Sequence, residues 1–185
     1  MTNECRVYVA CLACYVEGKL NGQWMTADEL DIAWDHDWSD DNGKRILCPH
    51  DEHEEWAIHD YDMHGVNYDS TVMLGEHPDI PDLIEFMRLL DEDSDYAIAL
   101  ELLQGAGADH SAQRIMEVRD AMVSYTCRSD WAREMCEEIY SRELEALPNF
   151  ISCTIDWDWV GQQLEYDYYT CEVGHTTYAI HVGDF

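Results

Sequence analysis

The chain has 185 residues, and its 40 acidic side chains against ten basic ones give a formal net charge of −30. So negative a surface repels phosphate, which excludes direct binding of nucleic acid, disfavours anionic membranes, and leaves basic partners: a protein groove, a polycation or metal ions. Yet 46% of the residues are apolar, with seven Trp and eleven Tyr, which excludes a disordered acidic tail and allows one large domain or two to three small ones.

The first residues, Met1 to Glu4, are polar, and the apolar run from Val7 to Tyr15 carries no cleavage pattern, so it reads as a strand and not as a secretory signal. Arg6 to Tyr15 is the first predicted strand, Glu17-Gly18 a tight turn, and Leu20 to Met25 a return strand. Thr26-Ala27-Asp28-Glu29 is a capping box that starts a helix running to about Trp38. Ser39 to His53, with Gly43 and Pro49, is a loop, and Glu55 to Tyr61 a third strand. Gly65, Gly75, Pro78 and Pro81 punctuate a boundary region from Asp62 to Pro81.

The middle reads as helical. Pro81 suits a first turn, and Leu83, Phe86, Met87 and Leu90 follow at helical spacing. Ser94 caps a second helix ending near Gly105. Asp109 or Ser111 caps a third, with Ile115, Val118, Met122 and Val123 inward. Ser129 caps a fourth, with Trp131, Met135, Ile139 and Leu144 on one side and Pro148 beyond its end. Asp156 caps a short helix through Leu164. Tyr168–Val173 and Thr176–Val182 flank Gly174-His175 as a hairpin. No stretch reaches the length of a membrane span, and eight cysteines without a signal suggest reduced thiols in a cytoplasm.

Three segments in this order, RVYVACLACYVEGKLNGQW (Arg6 to Trp24), EEWAIHDY (Glu54 to Tyr61) and IDWDWVGQQLEYDYY (Ile155 to Tyr169), resemble the ArdA-type antirestriction proteins of plasmids and conjugative transposons. The chain departs from that pattern between Asp31 and His53, where it carries Trp34, His36, Trp38, Cys48 and His50. The resemblance implies three small domains strung into a curved rod that dimerises, mimics bent B-DNA and fills the DNA groove of the methyltransferase core of type I restriction-modification enzymes. The expected fold is therefore α+β in an elongated chain of three domains. Residues 1–75 form a sheet with one helix, 76–124 a helical middle, and 125–185 a mixed domain ending in the hairpin.

The charge suits such a decoy. A dimer carries about 60 formal negative charges, the phosphates of about 30 base pairs or ~100 Å of duplex. Candidate phosphate surrogates are Asp79, Asp82 and Glu85 on the first middle helix and Asp91, Glu92 and Asp93 at its end. Asp130, Glu134, Glu137, Glu138 and Glu145 join them on the fourth helix, on the side away from Trp131 and Ile139. The function expected is inhibition without chemistry, with no catalytic residue, metal or cofactor.

Other motifs weigh against this reading only weakly. Cys11-Leu-Ala-Cys14 is a CxxC, but its thiols would point to opposite faces of one strand and no second pair matches it, so it reads as structural. Cys48-Pro-His50-Asp-Glu-His53 is the better metal candidate, and with His59 it supports the alternative of a metal-dependent hydrolase. His59-Asp60 as a base with its orienter fails on a strand, where neighbours face opposite ways. Asp35-x-Asp37 and Asp91-x-Asp93-x-Asp95 begin like calcium loops, but Asp40 and Ile46 in one, Tyr96 and Leu102 in the other, replace the turn glycine and closing glutamate. Surface acid as adaptation to brine suits the scarcity of Lys (only Lys19 and Lys44) but not the eight cysteines.

Overall fold

A computed structural model describes residues 4–39, 46–50, 53–66, 71 and 74–184. It is a mixed α and β structure with two three-stranded antiparallel sheets, and it divides into two compact units, Met1–Arg119 and Asp120–Phe185. Residues 40–45 and 51–52 of the expected loop, Asp40 and Gly43 among them, lie outside the described residues, as do 67–70 and 72–73 of the boundary region.

In the first unit β1 (Arg6–Cys11) lies between β2 (Gly22–Met25) and β3 (Trp56–Asp62). Val7 pairs with Met25 on one side and Tyr61 on the other. Val7, Val9, Ala10 and Cys11 are all buried, as expected of a central strand. The β1–β2 pair needs Gly22, since a Cβ there would collide with the Val9 carbonyl. On β3 the register steps from Tyr8–Asp60 to Val9–Ile58, which leaves His59 as a bulged residue without an opposite number.

The first predicted strand is too long. β1 stops at Cys11, and Leu12–Val16 turn into a helix, α1. Gly18, at φ 78°, closes it: the Gly18 N–H donates to the Tyr15 carbonyl, and the Lys19 N–H reaches back to that of Cys14. Glu17-Gly18 is therefore a helix end and not a hairpin turn.

Helix α2 (Ala27–Asp35) begins at the capping box that the sequence predicts. Thr26 accepts from the Glu29 N–H at 3.4 Å, while the Glu29 carboxylate accepts from the Thr26 N–H at 3.0 Å. It ends at Asp35, short of Trp38; Asp37 and Trp38 adopt left-handed φ of 49° and 60° as the chain leaves it. Helix α3 (Ile80–Glu92) is capped by Asp79, whose carboxylate accepts from the Asp82 N–H at 3.0 Å, with Pro81 in the first turn. Its buried side is Leu83, Phe86, Met87 and Leu90 as predicted, plus Ile80 and Ile84. Helix α4 (Asp95–Ala106) is buried nearly all round, from Ala97 to Gln104, and ends on left-handed Gly107. Ser94 does not cap it. The Asp93 carboxylate takes that place, accepting from the Asp95 N–H at 3.0 Å.

Helix α5 (Ala112–Ala121) buries Ile115 and Val118 but ends before Met122. Val123–Tyr125 form a strand, β4, against the strand Thr176–His181, so Val123 is not on a buried helix face. A β-branched residue and an aromatic suit the open edge of a sheet better than a fourth helical turn.

The second unit holds the hairpin of β5 (Tyr168–Val173) and β6 (Thr176–His181) around Gly174, with sheet order β4-β6-β5. Helix α6 (Arg128–Ile139) packs on α9 (Trp157–Glu165), which Asp156 caps through the Trp159 N–H at 3.1 Å. Gly161 permits this approach, since a Cβ would enter the Arg128 side chain. Trp131 stacks on Tyr125 at 4.6 Å and meets Tyr168 edge-on at 5.4 Å. The predicted fourth helix is broken. It starts at Arg128 and stops at Ile139, and α7 (Ser141–Glu145) and α8 (Asn149–Ser152) follow as separate short helices. Ile139 and Tyr140 are 59% and 52% exposed, so no core rewards continuing the helix. Among the described residues no helix is long and apolar enough to cross a membrane.

Candidate functional site

The carboxylates singled out from the sequence fall on both units. On the first, Asp79, Glu85, Asp91 and Glu92 are exposed, and Asp82 and Asp93 half-buried. Three of them already have internal duties. Asp79 caps α3, Asp91 accepts from the Cys5 N–H at 2.8 Å, and Asp93 holds Arg119 at 2.5 Å while capping α4. The Asp95 N–H and then the Arg119 guanidinium hold the Asp93 carboxyl below its ordinary range. On the second unit Asp130, Glu134, Glu137, Glu138 and Glu145 are all exposed. The break at Tyr140 puts Glu145 on α7, apart from the four on α6, and Ile139 is no inward reference for that face.

Among the described residues the cations are largely consumed internally. Arg6 binds Asp62, Lys19 binds Glu17, and Arg88 bridges Asp28 and Asp31 of α2 from α3. Arg114 binds Glu117, and Arg128 binds Glu165 at 2.9 Å with Asp158 at 3.7 Å. Glu165 also accepts from the Tyr125 hydroxyl at 2.5 Å; burial first, then this carboxylate, pushes the phenol above its ordinary range. What remains outside these pairs, among the described residues, is a surplus of exposed carboxylates.

The metal reading changes in its members. Cys11 at the end of β1, Cys14 on α1, Cys48 and His53 converge, their ligand atoms all within 4.8 Å of one another. The thiols lie 3.5, 3.3 and 3.7 Å from His53 Nδ1, in that order. The two CxxC thiols therefore do not face apart: the turn from strand to helix at Leu12 brings Cys14 back beside Cys11. His50 and His59 stand outside the set. The His50 ring lies against His53 at 4.8 Å, and His59 meets Tyr15 edge-on at 4.6 Å. The cavity beside Cys11, Cys48 and His53 measures about 10 Å³, room for one water at most and for no organic substrate. The hydrolase constellation of Cys48, His50, His53 and His59 is thus not assembled.

Sequence reasoning missed another grouping, Cys5, His64 and Asp91. It does not make a nucleophile. Cys5 is fully buried, and burial pushes its thiol up to about 12, which keeps it protonated at neutral pH. His64 meets the sulfur through its backbone N–H at 3.4 Å, while its ring lies 3.9 Å from Asp91.

No curated protein matches this chain. The family model described as antirestriction protein (ArdA) matches residues 7–178, nearly the whole length. The chain therefore belongs to the ArdA family of antirestriction proteins.

Proposed function

We propose that this antirestriction protein acts as a DNA mimic: it occupies the DNA-binding groove of a type I restriction-modification enzyme, at the methyltransferase core, without performing chemistry. The observation that carries the reading is the charge. Forty acids face ten bases, most of the described bases are held in internal pairs, and the acids of α6 and α7 point to solvent. Each exposed carboxylate offers a Lys or Arg of the target what a phosphate would. Because an exposed pair contributes only ~0.2–1 kcal/mol, affinity must come from many acting together.

The working form belongs to the same proposal: an elongated cytoplasmic homodimer of three-part subunits, 1–75, 76–124 and 125–185. Supporting the dimer, the second unit displays Phe150 at 72% exposure in an open groove of about 1170 Å³, where Leu144, Ile155 and Trp157 are interspersed with Arg133, Glu137 and Glu145.

Purified protein added to a type I restriction digest should stop cleavage at concentrations comparable with the enzyme's, while binding no duplex itself in a mobility-shift assay. Tight duplex binding at moderate salt, or cleavage that proceeds at a large excess of the protein, would overturn the reading.

A further inference from the structure

We propose that Cys11, Cys14, Cys48 and His53 form a structural zinc site, one ion per chain. The set spans three separate segments: the end of β1, the helix α1, and the stretch that leads into β3. A tetrahedral zinc with sulfur at ~2.3 Å and nitrogen at ~2.0–2.1 Å requires sulfur–nitrogen edges of about 3.6 Å. The observed Sγ–Nδ1 separations are 3.5, 3.3 and 3.7 Å.

Hydrogen bonding does not account for that geometry. One ring nitrogen serves as a single donor or a single acceptor, yet three sulfurs approach this one. A common centre satisfies all three at once. Cys11, Cys14 and Cys48 are buried and in no disulfide, so the soft ligands are available and shielded. The Asn21 side-chain amide donates to Cys14 Sγ at 3.2 Å, the kind of outer contact that steadies a thiolate ligand. Three sulfurs and one imidazole select zinc over the hard cations that forty carboxylates would attract.

Binding exchanges three thiol protons for the ion: they leave to solvent, His53 binds neutral, and the centre carries a net charge of minus one. Four protein ligands complete the shell and leave no position for a water, so the ion is structural and not hydrolytic. Its work is to fasten the segment around Cys48 to the sheet. That segment carries Leu47 and adjoins Trp38, whose ring packs on Trp56 of β3 at 4.5 Å.

The test uses the full chain, expressed with zinc in the medium and purified reduced, without chelator. Elemental analysis should give one zinc per chain. After zinc removal, titration with cobalt(II) should produce thiolate-to-cobalt charge transfer and the intense visible bands of a tetrahedral site, saturating at one equivalent. Cys14→Ser and Cys48→Ser should abolish both signals, whereas Cys127→Ser and Cys153→Ser, exposed thiols of the second unit, should leave them unchanged. The wild-type cobalt spectrum stands even if a ligand variant fails to fold. Three results would overturn the proposal: no zinc together with no cobalt uptake under reducing conditions, cobalt bound only with the weak absorption of a six-coordinate oxygen site, or uptake that survives Cys48→Ser. None of these readouts depends on antirestriction activity.

Discussion

Neutralising Glu134, Glu137, Glu138 and Glu145 together to Gln separates stability from inhibition. All four side chains are exposed, three on α6 and one on α7. Glu134 and Glu138 sit four residues apart on one helix, where like charges repel by a few tenths of a kcal/mol, so the variant should fold at least as stably as the parent. Against a basic groove the sign reverses. Loss of one exposed pair costs ~0.2–1 kcal/mol, about 1.4- to 5-fold in affinity. Loss of four, if additive, costs roughly 4-fold to several hundredfold. The assay is a titration of inhibitor against type I cleavage for each single variant and the quadruple one, with far-UV circular dichroism and sedimentation to check fold and assembly. A folded quadruple variant with undiminished potency would refute the reasoning, as would a single Glu→Gln change that abolishes inhibition.

Three further outcomes follow from the fold. Thr26→Ala should destabilise the first unit by ~0.5–2 kcal/mol in urea denaturation, since it breaks the capping box of α2; no measurable change would mean that α2 is held by packing alone. Gly22→Ala should impair folding outright, seen as loss of soluble protein or of a cooperative transition, because the methyl group collides with β1 backbone. Asp93→Asn should cost under ~1 kcal/mol at neutral pH, because it keeps a capping oxygen but loses the charge facing Arg119. The folded Asp93 carboxyl lies below its ordinary 3.8, so its contribution is present above that pH and disappears as pH falls through the folded value. The stability gap between parent and variant should therefore be flat near neutrality and close only below about pH 4.

Elements with strong local signals were legible in the sequence. The capping box at Thr26, the apolar ladder from Leu83 to Leu90, Asp156 and the Gly174 hairpin all appear where local chemistry dictates. Elements decided by their neighbours were not. β4 is three residues long and exists because β6 offers an edge; α6 stops where its apolar side finds no partner. The cysteine cluster was hidden for a similar reason. Its first pair is legible as CxxC and its second as Cys48 and His53, but joining them requires knowing that the chain leaves the strand at Cys11. Read as one strand, Arg6 to Tyr15 sends the two thiols apart; turned into a helix at Leu12, it brings them together. The acidic surface was legible in amount and only partly in kind, since Asp79, Asp91 and Asp93 hold their own fold.

The most direct test of mimicry is competition. A type I methyltransferase is loaded with a fluorescent duplex carrying its recognition sequence, and the purified protein is titrated in at several salt concentrations. Mimicry requires stoichiometric release of the duplex, with an apparent affinity that weakens steeply as salt screens the exposed carboxylates. A stable ternary complex that retains the duplex, or displacement indifferent to salt over a several-fold range, would contradict it.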